Sequence, residues 1–227
     1  MYALYIANRN YSSWSLRPWV LLKTLSIEFE ECFVPFLEGA TYEEFRKFSP
    51  TGLVPCLVDG DLTVWDSLSI TEYLAEAHSE IWPSDREARA WARSASAEMH
   101  SGFSALRNVC GMNVGVRVRL HEQSDALKAN LARLDELWTE GLDRFGGPFL
   151  AGESFTAVDA FFCPVAFRIQ TYGLKLGDTA MAYAERLLAL PAMQEWYEAG
   201  VAETIRDLPH DAEIGQVGTL VEDLRAV

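Results

Sequence analysis

Two serines, a Val-Pro pair and an Asp-Ser pair are the residues of this chain whose types and spacing best suit chemistry. Ser12 and Ser13 lie in Asn8-Arg9-Asn10-Tyr11-Ser12-Ser13-Trp14-Ser15-Leu16-Arg17-Pro18, between an alternating apolar run, Tyr2 to Ala7, and a helical pattern from Ser15 to about Leu25. A strand that delivers hydroxyls to a helix N-terminus makes an anion site, because free amides and the positive end of the helix dipole favour a phosphate, a carboxylate or a thiolate. The spacing predicts Ser15 as the helix cap and Pro18 in the first turn, where a missing amide costs little. Val54-Pro55 heads a strand, and a proline there stands either at a sheet edge or in a cis turn. Either way Val54 keeps free backbone groups with which an extended peptide can pair. Asp66-Ser67 opens a further helix, placing a hydroxyl and free amides for a carboxylate and an acid for an ammonium. A ligand with an amino-acid head, a peptide middle and a thiol matches all three features.

The elements that must position these residues read β-α-β-α-β-β-α over about the first 80 residues, enough for a small domain. Phe29 to Pro35 is a second strand, and Thr41 to Phe48 a short helix capped by Thr41. Leu53 to Val58 and Leu62 to Trp65 form a hairpin around Asp59-Gly60-Asp61. The pattern lapses around Pro83, which predicts a domain at 1–78, a linker at 79–84 and an all-helical domain at 85–227. Within the latter, one long helix is expected from Asp85 to about Arg107 and another from Gln123 to Phe145. Phe155-Thr156-Ala157-Val158-Asp159 is a capping signature opening an apolar, buried helix from Ala157 to Val165, frayed or kinked at Pro164. Helices from about Thr179 to Leu190 and from Pro191 to Gly200 follow, and the tail to Val227 is weakly patterned.

Composition excludes several classes. The 227 residues are 49% hydrophobic, ample for a core, and carry a formal net charge of −14, which argues against a nucleic-acid partner. No apolar run approaches the length of about 20 residues that spans a bilayer, and the start lacks a basic n-region, so a soluble, cytoplasmic protein is expected. Cys32, Cys56, Cys110 and Cys163 form no C-x-x-C pair and read as reduced, mostly buried thiols, with no metal site expected. Trp91, Trp138 and Trp196 recur at helical spacing and are assigned to packing.

Tyr11 to Arg17, Ser49 to Leu57, Asp66 to Ile70 and Phe155 to Asp159 together resemble the signatures of cytosolic glutathione transferases, in order and over nearly the whole chain. The Ser-Ser-x-Ser-x-Arg run is most similar to the zeta and theta-like serine classes. The resemblance implies a thioredoxin-like N-terminal domain that binds glutathione as co-substrate, a helical C-terminal domain, and usually a homodimer. It makes Val54 and cis-Pro55 the clamp on the cysteinyl backbone and Asp66 and Ser67 the γ-glutamyl site. Its chemistry is activation of the thiol as thiolate by a serine hydroxyl acting as donor, followed by addition to a small hydrophobic electrophile. Ser12 and Ser13 both match the catalytic position, with Ser12 slightly favoured, while Arg17 reads as a brace.

Several positions depart from the pattern or extend it. Leu53 stands where many relatives carry a polar contact to the tripeptide, and Arg46 or Lys47 are the substitutes considered for the glycyl carboxylate. Isomerases of the zeta class carry an arginine late in the helix opened at Thr156, and its place here is Thr171, with Arg168 one turn earlier. Conjugation is therefore the broader expectation, with a glutathione-dependent cis-trans isomerase of maleylacetoacetate type and a non-catalytic binding module as alternatives. Tyr11, Trp14, His100 and Arg107 are candidates for a second-substrate pocket, although a hydrogen-bonded His100 is the plainer expectation.

Overall fold

The computed structural model describes residues 1–226. Strands β1 (Tyr2–Ile6), β2 (Phe29–Phe33), β3 (Cys56–Asp59) and β4 (Leu62–Trp65) form one mixed sheet in the order β2-β1-β3-β4, in which only β1 and β2 run parallel. That parallel pair requires a crossover, supplied by helix α1 (Ser13–Thr24). The alternation in β1 divides its side chains between the sheet's faces. Leu4 and Ile6 are fully buried, whereas Tyr5 stacks on Phe48 at 4.2 Å between ring centroids, beyond the short helix α2 (Thr41–Phe45). In the β3–β4 hairpin the turn residue Gly60 adopts φ +58°, a conformation that favours glycine. Helix α3 (Ser67–Ala75) packs beside α1.

The second half is helical, apart from one ribbon. Helices α4 (Arg86–Ser101), α5 (Ser104–Val109), α6 (Asp125–Phe145), α7 (Ala157–Tyr172), α8 (Asp178–Leu188) and α9 (Pro191–Ala202) assemble around α7, which packs on α1, α4 and α8. Fifteen of the sixteen residues of α7 are buried, as its all-round apolar sequence requires. Because α1 lies between the sheet and α7, it is buried on both sides. The loop that opens α1 is therefore fixed by both halves.

Several expectations are corrected in detail. Ser12, not Ser15, caps α1, which moves Pro18 into the second turn. The expected cap at Thr41 is displaced to Ala40, since the Thr41 hydroxyl is engaged with the Leu37 backbone. The helix expected from Asp85 to Arg107 breaks at Gly102, where a Cβ would stand 2.7 Å from the Glu98 carbonyl oxygen, and at Phe103, which takes φ +53°. The region expected as linker contains a 3-10 turn, Ser79–Ile81. Helix α7 continues through Pro164 to Tyr172. The weakly patterned tail folds into α10 (Leu208–Val217) and β6 (Gly218–Asp223), and β6 pairs antiparallel with β5 (Val116–Leu120). Among the described residues no helix is long and apolar enough to cross a membrane, and no cluster of acids, histidines and cysteines is placed to hold a metal ion. All four cysteines are free, and only Cys32 is not fully buried.

Candidate functional site

A cleft of about 480 Å³ is lined by Trp14, Thr51, Leu53, Val54, Pro55, Trp65, Asp66 and Ser67. It gathers the three stretches singled out from the sequence. Val54 and Pro55 meet through a cis peptide bond just ahead of β3, so Val54 lies off the hairpin ladder with its backbone beside the cleft. Asp66 takes φ +73°, unusual for a non-glycine residue, and from there its Oδ1 accepts the Leu68 amide at 2.8 Å and the Ser69 amide at 3.4 Å. Such a conformation at a helix cap beside a cleft is typical of ligand sites. The other carboxylate oxygen of Asp66 faces His100 Nε2 at 3.4 Å.

Leu53 is 65% exposed and Trp65 45%, so the outer wall of the cleft is apolar. Neither basic residue considered as a substitute at this end lines it. Lys47 pairs with Glu44, and the stem of Arg46 covers Gly52 together with the Tyr42 ring.

The serines stand behind the cleft wall rather than on it. Ser12 is 5% exposed and Ser13 8%, while Trp14, the next residue, lines the cleft. Ser12 Oγ donates to Ser15 Oγ at 2.7 Å and accepts the Ser15 amide at 3.4 Å. Ser13 Oγ instead accepts from Arg168 Nη2 of α7 at 3.4 Å.

Of the residues considered for a second substrate, Trp14 alone reaches the cleft. His100 packs edge-on against its ring at 5.3 Å between centroids, and the Arg107 guanidinium lies 4.7 Å from the ring centre. Arg107 is held there by the carbonyls that end α4, those of His100 and Gly102, at 3.0 and 3.3 Å. Burial pulls His100 below the ordinary histidine value; Asp66 opposes this, and Arg17 and Arg107 add to it. Tyr11 is absent from the cleft. Its hydroxyl donates to Asp211 Oδ1 and accepts from Arg225 Nη1, both at 3.1 Å, and its ring stacks on His210. Burial first, then the Asp211 charge, pushes it up to about 12. Tyr11 thus anchors the tail.

Sequence reasoning read Arg17 as a brace and missed what surrounds it. Its guanidinium is sandwiched 4.1 Å from the Trp14 ring centre and 5.0 Å from that of Phe161, with Nη1 3.4 Å from Ser67 Oγ. It therefore links the loop of α1 to the start of α3. Arg17, Arg107 and Arg168 each stood out singly in the sequence, but their separation along the chain hid the cluster.

Fold and cleft together define a thioredoxin-like layer with a peptide-sized groove, backed by a helical layer. Residues 11–77 match the family model described as glutathione S-transferase, N-terminal domain, and residues 116–199 that described as glutathione S-transferase, C-terminal domain. A zeta class glutathione S-transferase of Euphorbia esula is 29% identical over 157 residues, 67% of this chain and 70% of that protein. Maleylacetoacetate isomerase of Rattus norvegicus is 26% identical over 197 residues, 84% of this chain and 89% of that protein. A glutathione transferase homologue from Burkholderia, solved with bound glutathione, superposes with a TM-score of 0.63 at 24% identity, covering 88% of this chain and 97% of that one. The chain belongs to the glutathione S-transferase family.

Proposed function

We propose that this protein binds glutathione in the cleft and adds its sulfur to a small hydrophobic electrophile. The observation that carries this reading is the convergence of Trp14, Val54, cis-Pro55, Asp66 and Ser67 on one groove from three separate stretches of chain. The backbone of Val54 pairs with the cysteinyl unit. The hydroxyl and amide of Ser67 take the γ-glutamyl carboxylate at the positive end of α3, and Asp66 takes its ammonium. A free thiol has a pKa of about 8.5, so catalysis near neutrality needs the thiolate stabilised, and a buried hydroxyl at the N-terminus of α1 meets that need. The serine acts as a hydrogen-bond donor, not as a base. Residues 1–78 are the glutathione-binding unit and 85–227 the helical unit. The protein works in the cytoplasm as a homodimer, with a role in detoxification.

Retention on immobilised glutathione, followed by rates with haloaromatics, enones and a maleyl cis-alkene, tests this reading. Binding with turnover of the haloaromatics or enones is expected, and no retention would point to a non-catalytic module for another ligand. Turnover of the maleyl compound alone would favour isomerisation, the activity in the name of the Rattus norvegicus relative. Against isomerisation, Thr171 is buried, its hydroxyl donates to the Asn113 carbonyl at 2.7 Å, and it does not line the cleft.

A further inference from the structure

Arg17 and Arg168 are 2% and 4% exposed, yet among the described residues neither they nor Arg107 has a carboxylate within ion-pair distance. Buried charges are ordinarily paired, and an uncompensated one costs several kcal/mol. Asp66, the acid whose charge Arg17 feels, is engaged in capping α3 and facing His100. Arg17 also leaves its buried Nε without a partner.

The rotamer of Arg168 is fixed. Its Nε donates to the Cys110 carbonyl at 2.7 Å and Nη1 to the Pro164 carbonyl at 3.5 Å, which leaves Nη2 on Ser13 Oγ. Because that oxygen accepts a hydrogen bond from Arg168, the hydroxyl hydrogen of Ser13 is left to donate, and no acceptor takes it among the described residues. The Ser12 hydroxyl already donates to Ser15 Oγ.

We propose that Arg168 is a positioning residue that makes Ser13, rather than Ser12, the donor to the glutathione sulfur, and that the thiolate is the counter-charge the arginine cluster lacks. This rests on the transferase reading. Binding then proceeds with loss of the thiol proton to solvent, the sulfur keeping the S–H electron pair and the guanidiniums keeping their protons.

The groups facing the site support that direction. Arg17 comes from α1, His100 from α4, Arg107 from α5, Arg168 and Tyr172 from α7, with Cys110 after α5 and Asp66 before α3. Burial raises the Cys110 thiol to about 12 and raises Tyr172 as well, so both are neutral near pH 7. Burial lowers Arg168 only to about 10, so it remains a cation. The charge left to be met near Ser13 is positive.

The ultraviolet absorbance of the thiolate, titrated on protein-bound glutathione, tests the assignment. In the wild type the bound thiol ionises below the free thiol. Arg168→Gln raises its pKa by about one pH unit or more, and Arg168→Lys by less, with glutathione affinity in the thiol form retained. Ser13→Ala produces a similar rise and Ser12→Ala does not, while the double variant Ser13→Ala/Arg168→Gln goes no further than either single one. Wild-type titration of Arg168→Gln, additivity in the double variant, or a rise in Ser12→Ala without one in Ser13→Ala overturns the proposal. Should Arg168→Gln not fold, the two serine variants decide it alone. A wild-type protein that fails to bind glutathione, or leaves its thiol unshifted, overturns the transferase reading itself and this assignment with it.

Discussion

The N-termini of α1 and α7 begin from the same device, a hydroxyl cap on a buried helix, and end in opposite electrostatic states. At α7 the Thr156 capping box is closed by Asp159, whose Oδ1 accepts the Leu150 amide and the Tyr183 hydroxyl while Oδ2 accepts the Thr156 amide and hydroxyl. Burial raises that carboxyl to about 6 against the pull of its four donors, and the acid stands at the positive helix end from within the chain. At α1 no acid occupies the first turn, and the nearest charges are guanidiniums. A helix end that supplies its own anion is structural. One that gathers cations instead is prepared for an anion from outside.

Breaking the first of these ends should have the larger effect. Asp159→Asn keeps the shape but turns one side of the carboxylate into a donor facing donors, and should cost about 3 kcal/mol or more, read as a lower urea midpoint with an unchanged m-value. Breaking the cap of α1 should be milder. Ser12→Ala should cost about 1 kcal/mol in the same measurement and leave the conjugation rate nearly unchanged once the protein is folded. The smallest effect belongs to the cleft's outer wall. Leu53→Gln should tighten glutathione by a few-fold, about 1 kcal/mol by calorimetry, because an amide there can reach the tripeptide. No change would mean that the ligand's distal end lies away from this wall.

Features governed by neighbours in the chain were legible in the sequence. The strand before the serine loop, the β3–β4 hairpin, the Thr156 box and the helix at Pro191 all follow from alternation, turn chemistry and caps within a few residues. The cap of α1 was misplaced by three residues because Ser12 and Ser15 are both competent, and only their mutual hydrogen bond decides between them. The α4–α5 break depends on a close approach of Gly102 to Glu98, which apolar periodicity does not report. Pairing of β5 with β6 joins segments about a hundred residues apart, beyond any local signal. In the site, the cleft residues came from motifs, whereas the arginine cluster is assembled from α1, α5 and α7 and had no motif to carry it.

The serine loop is tied not only to its neighbours, such as the Phe36 amide on Asn8 and Glu31 on Arg9, but also to late parts of the chain. Asn10 Nδ2 donates to the Gly200 carbonyl, the Arg9 amide to Glu203, Asn8 Nδ2 to the Ile205 carbonyl, and Tyr11 to Asp211. A nascent chain can build its first sheet soon after β4 leaves the ribosome, yet the residues translated near the beginning gain these tethers only when those near 200–211 have emerged. The segment that carries the serines is thus among the first made and among the last to gain its full set of tethers.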